Sequence, residues 1–309
     1  MFFEKKIYQG HKNLLYVFNI DQDQIIFLLT SITKGNAMEI KGRTFLVTGG
    51  AQGMGRCFVE ELSKLGAHAI FCDINEAGIS EVEQACANHE GTVRGMVVNV
   101  AEPDTVVDGE IVRGIDKSTE NFNAFLDFAL SITGDIDGII NNAGVIRDGL
   151  IAKFDKRTGG TKVLSNDKWR QVIDINLTGV FLGTRAYAEW HIANEKKAGV
   201  IISISSISRH GNQGQSNYSA AKAGLVAMTS LWAGELSRYG IRTGAIAPGF
   251  TKTPILEGMP PEALEKVAAP VPLKRIADPT EIFRAVQFII ECDYFTGRVI
   301  DVDGGLRLR

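Results

Sequence analysis

The stretch Thr48-Gly49-Gly50-Ala51-Gln52-Gly53-Met54-Gly55 decides the fold that we expect for this chain. It follows a short apolar segment typical of a buried strand and opens an amphipathic segment typical of a helix. The glycines allow a tight turn and let the backbone approach a pyrophosphate, whose charge is stabilised at a helix N-terminus. The stretch therefore predicts a dinucleotide-binding loop between the first strand and the first helix.

The same alternation of short β-branched runs and longer amphipathic runs continues along the chain from residue 43. Strands are predicted at 44–48, 69–72, 93–98, 136–140, 200–204, 243–246 and 299–302. Helices are predicted at 55–65, 79–87, 121–132, 168–189, 219–238 and 280–290. This order indicates an α/β fold, a doubly wound (Rossmann) parallel sheet of about seven strands with helices on both faces. We expect residues 147–166 to form a polar loop inserted after the fourth strand.

The first 37 residues differ from the rest in composition. They are rich in Phe, Ile, Leu, Asn, Gln and Lys, and their two apolar runs, 14–20 and 25–32, are separated by Asp21-Gln22-Asp23-Gln24. Neither run approaches the ~20 residues that a membrane-spanning helix needs. We therefore predict an N-terminal extension of uncertain structure, 1–37, followed by a single dinucleotide-binding and catalytic domain, 38–309, with no membrane partner.

Composition excludes several classes of protein. Of the 309 residues, 45% are hydrophobic and 22% are charged, which is typical of a soluble protein with a sizeable core. The formal net charge of −3 offers no broad cationic surface, so no nucleic acid partner is expected. The four cysteines form no CxxC pair and the histidines show no metal-ligand spacing. We therefore expect reduced thiols, no metal and a cytoplasmic location.

Asp73 indicates which dinucleotide the loop prefers. It ends the second predicted strand 18 residues after Gly55 (73 − 55 = 18), where a carboxylate accepts hydrogen bonds from the adenosine ribose and repels a 2′-phosphate. Gln52 adds no positive charge, and Arg56 is the one basic candidate nearby. The sequence therefore favours NAD over NADP as the cofactor.

Tyr218 and Lys222 form the second chemical signal. Side chains four residues apart on a helix lie on one face, so a phenol and an ammonium are expected to meet. Tyrosine normally titrates near pH ~10, and a neighbouring cation favours its charged form. We therefore expect Lys222, aided by an oxidised nicotinamide, to lower the pKa of Tyr218 into the range useful for proton transfer.

These motifs, together with four others in the same order, resemble the short-chain dehydrogenase/reductase family. The others are Asn141-Asn142-Ala143-Gly144, Asn176-Leu177-Thr178-Gly179, the pair Ser205-Ser206, and Pro248-Gly249. The resemblance covers about residues 41–309. The segments 207–222 and 295–305 look most like the branch that contains the 3-oxoacyl-carrier-protein reductases.

The resemblance implies roles for individual residues. Tyr218 would be the general acid/base, Lys222 would bind the nicotinamide ribose, and Asn176 would hold a water in a proton relay. Asn142–Gly144 would pack the adenosine side of the cofactor, Asn99 would lie near the adenine, and Thr253 would contact the carboxamide. The full cofactor set is Gly49, Gln52, Gly53, Met54, Gly55, Asp73, Asn99, Val100, Asn142, Ala143, Gly144, Tyr218, Lys222, Pro248 and Thr253.

The catalytic serine has two candidates. The strand register points to Ser206, whereas the family's usual separation from the tyrosine selects Ser205, since 218 − 205 = 13. We favour Ser206, because a deletion in the following loop costs less than a one-residue shift of a buried strand. Ser205 stays the alternative.

The predicted function is an oxidoreductase that interconverts a secondary alcohol and a ketone by hydride transfer with NAD(H) or NADP(H). The substrate is a small carbonyl or alcohol compound, with a 3-oxoacyl thioester as one possibility. The alternative is a non-catalytic dinucleotide-binding regulator on the same fold. The apolar last strand is expected at a sheet edge, which pairing across a two-fold axis would cover, so we predict a homodimer or homotetramer.

Overall fold

The computed structural model describes residues 38–107, 110–253, 256 and 260–307. The predicted N-terminal extension, 1–37, lies outside the described residues, so the boundary at residue 38 stays a prediction. In the described part of the chain, no helix is both long enough and apolar enough to cross a membrane.

The centre of the fold is a seven-stranded parallel sheet, which confirms the predicted Rossmann architecture. The strands are β1 (Thr44–Thr48), β2 (His68–Asp73), β3 (Val93–Val97), β6 (Gly138–Asn141), β9 (Gly199–Ile204), β10 (Ile241–Pro248) and β11 (Arg298–Val302). Their order in the sheet is β3-β2-β1-β6-β9-β10-β11. The chain runs outward from β1 through β2 and β3 on one side, and from β6 through β11 on the other, so the order reverses between β1 and β6.

Helices cover both faces of this sheet. They are α1 (Gly53–Lys64), α2 (Glu76–Ala85), α3 (Gly114–Thr133), α4 (Asn166–Ile173), α5 (Gly179–Ala193), α6 (Ser216–Leu236), α7 (Pro261–Ala268) and α8 (Pro279–Glu291). Successive β1 side chains point to opposite faces: Phe45 and Val47 join a core cluster with α1, α2 and α8, whereas Leu46 joins one with α3 and α5. Because a core packs against each face of the sheet, all five residues of β1 are buried and the strand has no solvent-facing side.

Two exposed antiparallel hairpins branch from the sheet. One pairs β4 (Thr105–Val107) with β5 (Glu110–Val112), and the other pairs β7 (Ala152–Asp155) with β8 (Gly160–Val163). The second hairpin corrects the predicted polar loop at 147–166. The segment contains a turn at 156–159 between two short strands whose side chains are mostly exposed, which the sequence did not indicate.

The predicted helix 168–189 is also interrupted. A π-helical turn, Asp174–Thr178, lies between α4 and α5. Such a turn inserts one residue into a helix and changes which side chains face the interior. It buries Asn176 completely.

Candidate active site

The glycine loop joins β1 to α1 and is shaped for close approach. Gly49 and Gly53 have φ angles of 67° and 55°, in the left-handed region that favours glycine. A Cβ atom at Gly55 would overlap the carbonyl oxygen of Gly49 and the side-chain amide of Asn142. The loop therefore tolerates no side chain at Gly55, because the turn closes tightly onto the start of the helix.

The N-terminus of α1 has the properties of an anion site. Gln52 precedes the helix in an extended conformation without capping it through its side chain, and the first turn carries no acidic residue. The first amide N–H groups of a helix lack partners within the helix and carry a partial positive charge. Together with the room left by Gly55, this arrangement fits a pyrophosphate.

Asp73 is buried where β2 ends, 8% exposed, and both of its carboxylate oxygens accept backbone hydrogen bonds. The donors are the N–H groups of Ala51, at 3.0 Å, and Asn75, at 3.1 Å. The carboxylate therefore fixes the glycine loop as well as lining the neighbouring cleft. Arg56 does not line that cleft and instead pairs with Glu60 at 2.7 Å.

A cleft of about 250 Å³ lies between the ends of the strands on either side of the point where the sheet order reverses. It brings together nine of the predicted cofactor residues: Gly49, Gln52, Met54, Asp73, Asn99, Val100, Asn142, Ala143 and Gly144. Cys72, Ile74, Val98, Val145 and Ile175 complete the lining. Pro248 ends β10 and Thr253 follows five residues later, and neither of them lines this cleft.

Thr48 and Asn142 join the two halves of the cleft. The Asn142 amide donates to the carbonyl oxygens of Thr48 and Gly49, both at 3.0 Å. In return, the Thr48 hydroxyl accepts from the backbone N–H groups of Asn142 and Ala143, at 3.0 and 3.1 Å. Sequence reasoning missed this role of Thr48, and its position directly before Gly49 was the available signal.

Lys222 lies in the second turn of α6 and is almost completely buried, 3% exposed. Its Nζ atom donates to the carbonyl oxygen of Ile204, the last residue of β9, at 2.7 Å, and lies 5.6 Å from the centre of the Tyr218 ring. Burial lowers the pKa of the Lys222 ammonium to about 7. The structure thus brings the predicted pair together on one face of the helix.

The protein groups around Tyr218 raise its pKa. Burial raises it to about 12, a hydrogen bond with the Ser206 side chain lowers it, and the charge of Asp148 adds to the rise. Lys222 is not among the groups that lower this pKa. The expected joint effect of Lys222 and an oxidised nicotinamide stays a prediction.

The two candidate serines have different surroundings. The Ser205 hydroxyl is 2% exposed and donates to the backbone carbonyl of Lys222 at 2.8 Å. The Ser206 hydroxyl accepts from the N–H of Ser208 at 3.1 Å, and it is the serine hydroxyl that lowers the pKa of Tyr218. Ser206, rather than Ser205, is therefore the serine that interacts with the phenol.

Asn176 connects the cleft to the tyrosine–lysine pair. Its Oδ1 accepts from the N–H of Val145 at 3.0 Å, and its Nδ2 donates to the carbonyl oxygens of Val145 and Val172 at 2.8 and 3.0 Å. A Cβ atom on Gly144 would lie 2.5 Å from Asn176 Oδ1 and 3.6 Å from Lys222 Nζ. Gly144 therefore lies between the cleft and the lysine. The relay role of Asn176 stays a prediction.

Asn217 and Gln215, which precede Tyr218, hold the inserted segment against α6. The sequence analysis identified neither of them. Asn217 is fully buried and donates to the carbonyl oxygens of Arg147 and Lys168, at 3.2 and 3.0 Å. Gln215 donates from Nε2 to the carboxylate of Asp148, at 3.1 Å to its nearer oxygen. Their proximity in sequence to Tyr218 was the only signal.

Comparison with known proteins agrees with this geometry. A family model described as short chain dehydrogenase matches residues 43–263. The 3-oxoacyl-[acyl-carrier-protein] reductase of Thermotoga maritima is 33% identical over 272 residues, covering 87% of this chain and 99% of the relative. The corresponding reductase of Haemophilus influenzae is 34% identical over 272 residues, covering 87% and 100%. The (3R)-3-hydroxyacyl-CoA dehydrogenase of Canis lupus familiaris is 32% identical over 274 residues, covering 87% and 98%.

These matches favour the enzyme over the non-catalytic regulator. The chain belongs to the short-chain dehydrogenase/reductase family and is an oxidoreductase that interconverts CH–OH and C=O groups with a nicotinamide dinucleotide.

Proposed function

We propose that this enzyme interconverts the 3-oxo and 3-hydroxy forms of an acyl thioester with NAD(H). The observation that carries the proposal is the meeting of Ser206, Tyr218 and Lys222 beside a cleft with an anion-binding loop at its other end. A reacting carbonyl needs a proton donor and an orienting hydrogen bond next to the coenzyme, and these side chains supply both.

In the proposed mechanism, the coenzyme supplies or accepts the hydride, and the chain supplies orientation and the proton. The hydroxyl groups of Ser206 and Tyr218 hold the substrate oxygen. On reduction, Tyr218 donates its proton to that oxygen, and on oxidation it takes the proton back. A phenol with a pKa of about 12 is protonated at neutral pH, so it carries the proton that the reduction step needs.

The substrate class follows from the relatives. Their names specify a 3-oxoacyl group on a carrier protein or a 3-hydroxyacyl group on CoA. Both are thioesters with the reacting oxygen at position 3. We extend this shared feature to the present chain. Asn176, in the proton relay, and Thr253, at the nicotinamide carboxamide, are further proposed contributors.

The preference for NAD over NADP is supported by the charges around Asp73. Among the described residues that line the cleft there is no lysine or arginine. Ile74, which follows the carboxylate, is 73% exposed and apolar, and Arg56 is paired with Glu60. A 2′-phosphate would therefore meet a negative charge with no compensating cation.

A homodimer or homotetramer remains part of the proposal. β11 is the last strand of the sheet, paired only with β10 among the described strands. Tyr294, just before it, is fully exposed. An edge strand beside an exposed aromatic side chain is a surface that a second copy can cover.

The test is a rate measurement at the reduced-nicotinamide absorbance band. NADH and NADPH are compared with 3-oxoacyl thioesters and with simple ketones. We expect the highest kcat/KM for a thioester with NADH, and Tyr218→Phe should abolish turnover while NADH still binds. Faster turnover of the simple ketones would contradict the substrate class, and full activity of Tyr218→Phe would contradict the mechanism.

A further inference from the structure

Asp148 is held beside the reacting groups by a contact from the helix that carries them. Its carboxylate accepts from Gln215 Nε2, at 3.1 and 3.3 Å to its two oxygens. Gln215 is 8% exposed and lies three residues before Tyr218, at the N-terminus of α6. The next residue, Gly149, donates its N–H to the carbonyl of Gly214 at 2.8 Å. Main-chain and side-chain bonds therefore fix this carboxylate relative to the phenol.

Asp148 is exposed, and its carboxylate forms no direct ion pair among the described residues. Among the residues that the structure describes, no lysine or arginine lies within 4.0 Å of its carboxylate. Arg147 is directed to Gln171, with 2.8 Å between Nε and Oε1. Lys168 donates to the backbone carbonyl of Asp148, at 2.8 Å, rather than to its carboxylate. An unpaired negative charge thus remains at this point.

Asp148 lies beside the end of the helix that carries the phenol, because its partner Gln215 directly precedes α6 and is three residues before Tyr218. The charge of Asp148 also contributes to the raised pKa of Tyr218. The Lys222 ammonium is buried and donates to the carbonyl oxygen of Ile204, so it does not pair with Asp148. A second negative charge brought close to Tyr218 by a substrate would therefore be repelled by Asp148.

We propose that Asp148 determines charge selectivity at the substrate site, favouring acyl groups whose carboxyl is esterified over free 3-oxo acids. This inference rests on the proposed function, because the two compounds differ only in the group at C1. In a thioester that group is neutral. In the free acid it is a carboxylate two bonds from the reacting carbon, and fixed like charges repel.

The experiment compares Asp148→Asn with the full-length wild-type enzyme. The amide oxygen of asparagine can still accept the hydrogen bond from Gln215, so the variant removes charge and keeps the loop contact. The substrates are the N-acetylcysteamine thioester of 3-oxobutanoate and 3-oxobutanoate itself, with NADH. For the acid, kcat/KM is measured, or its inhibition constant against the thioester where turnover is too slow. Asp127→Asn, an exposed change on α3, is the matched control.

We expect Asp148→Asn to raise the acid-to-thioester ratio roughly fivefold, as one close like-charge interaction in a solvated site predicts. High salt should shrink the difference between variant and wild type, because screening weakens the repulsion. Asp127→Asn should leave the ratio unchanged.

Three outcomes count against the inference. An unchanged ratio in Asp148→Asn overturns it. A second such outcome is that Asp148→Ala loses activity equally towards the acid and the thioester, while Asp148→Asn keeps the wild-type acid-to-thioester ratio. That pattern identifies a purely positional role for Asp148 and also overturns the inference. If the wild-type enzyme does not reduce the thioester at all, the proposed function fails first, and the inference fails with it.

Discussion

Replacing each of the two neighbouring serines by alanine separates stability from catalysis at one strand end. Ser205 and Ser206 are adjacent, small and buried, and differ mainly in their partners. The Ser205 hydroxyl donates to the backbone carbonyl of Lys222, whereas the Ser206 hydroxyl lowers the pKa of the Tyr218 phenol. We therefore predict that the same substitution lowers mainly the stability of the protein at Ser205 and mainly kcat at Ser206.

The magnitudes follow from these contacts. Ser205→Ala removes a buried hydrogen bond of 2.8 Å and should lower the free energy of unfolding by about 1–2 kcal/mol. Because the tyrosine contact remains, kcat should fall by less than about threefold, within ordinary variation for a change that touches no reacting group. Ser206→Ala removes a donor at the reacting oxygen and should lower kcat by roughly 10²–10³-fold. It should also raise the pKa of Tyr218 further, because the bond that lowers it is lost.

The assay combines urea unfolding of both variants with kcat measured at saturating NADH and substrate. Coenzyme titration serves as the control, because both variants should bind NADH like the wild-type enzyme. The reasoning is refuted if Ser205→Ala loses two orders of magnitude in kcat while Ser206→Ala keeps its activity. That result would select the spacing argument over the strand register.

Three further predictions use the loop, the acidic residue and the lysine. Gly55→Ala should destabilise the protein by about 1–3 kcal/mol and weaken NADH binding, because its Cβ overlaps backbone; thermal unfolding and coenzyme titration check this. The double change Asp73→Ser with Ile74→Arg should shift the ratio of kcat/KM values from NADH towards NADPH, and a wild-type ratio would contradict the role of the carboxylate. Lys222 loses its proton near pH 7 when folded and near pH 10.5 when unfolded, so the unfolded state binds more protons between these values. Stability should therefore rise with pH across that window relative to Lys222→Met, and parallel pH profiles would refute the shift.

Local sequence was sufficient to predict the sheet and most of the residues that line the cleft. Strands such as β1 are buried on both faces, so they read as continuous apolar runs. Gly55 must be glycine because the backbone of Gly49 fills the space where a side chain would be. Strand burial and the tight glycine turn each depend on a few adjacent residues, so both can be recognised in the local sequence.

The hairpin at 152–163 and the π-turn at Asp174–Thr178 were not predicted. Two short strands with exposed side chains carry little hydrophobic periodicity, and a one-residue insertion in a helix leaves no local composition change. Asn217 donates hydrogen bonds to the carbonyl oxygens of Arg147 and Lys168, which lie about 50 to 70 residues away in sequence. Motif spacing carries no information about contacts over such separations.

The sequence by itself determined that a parallel sheet, a glycine turn and a Tyr218–Lys222 pair exist. Only the tertiary structure decided which serine meets the phenol, and in which direction the pKa of Tyr218 moves. The pKa is a balance between burial, one hydrogen bond and the charge of Asp148, which lies 70 residues away in sequence (218 − 148 = 70). Such a balance depends on distances and solvent access in the folded protein, and these quantities have no local signature in the chain.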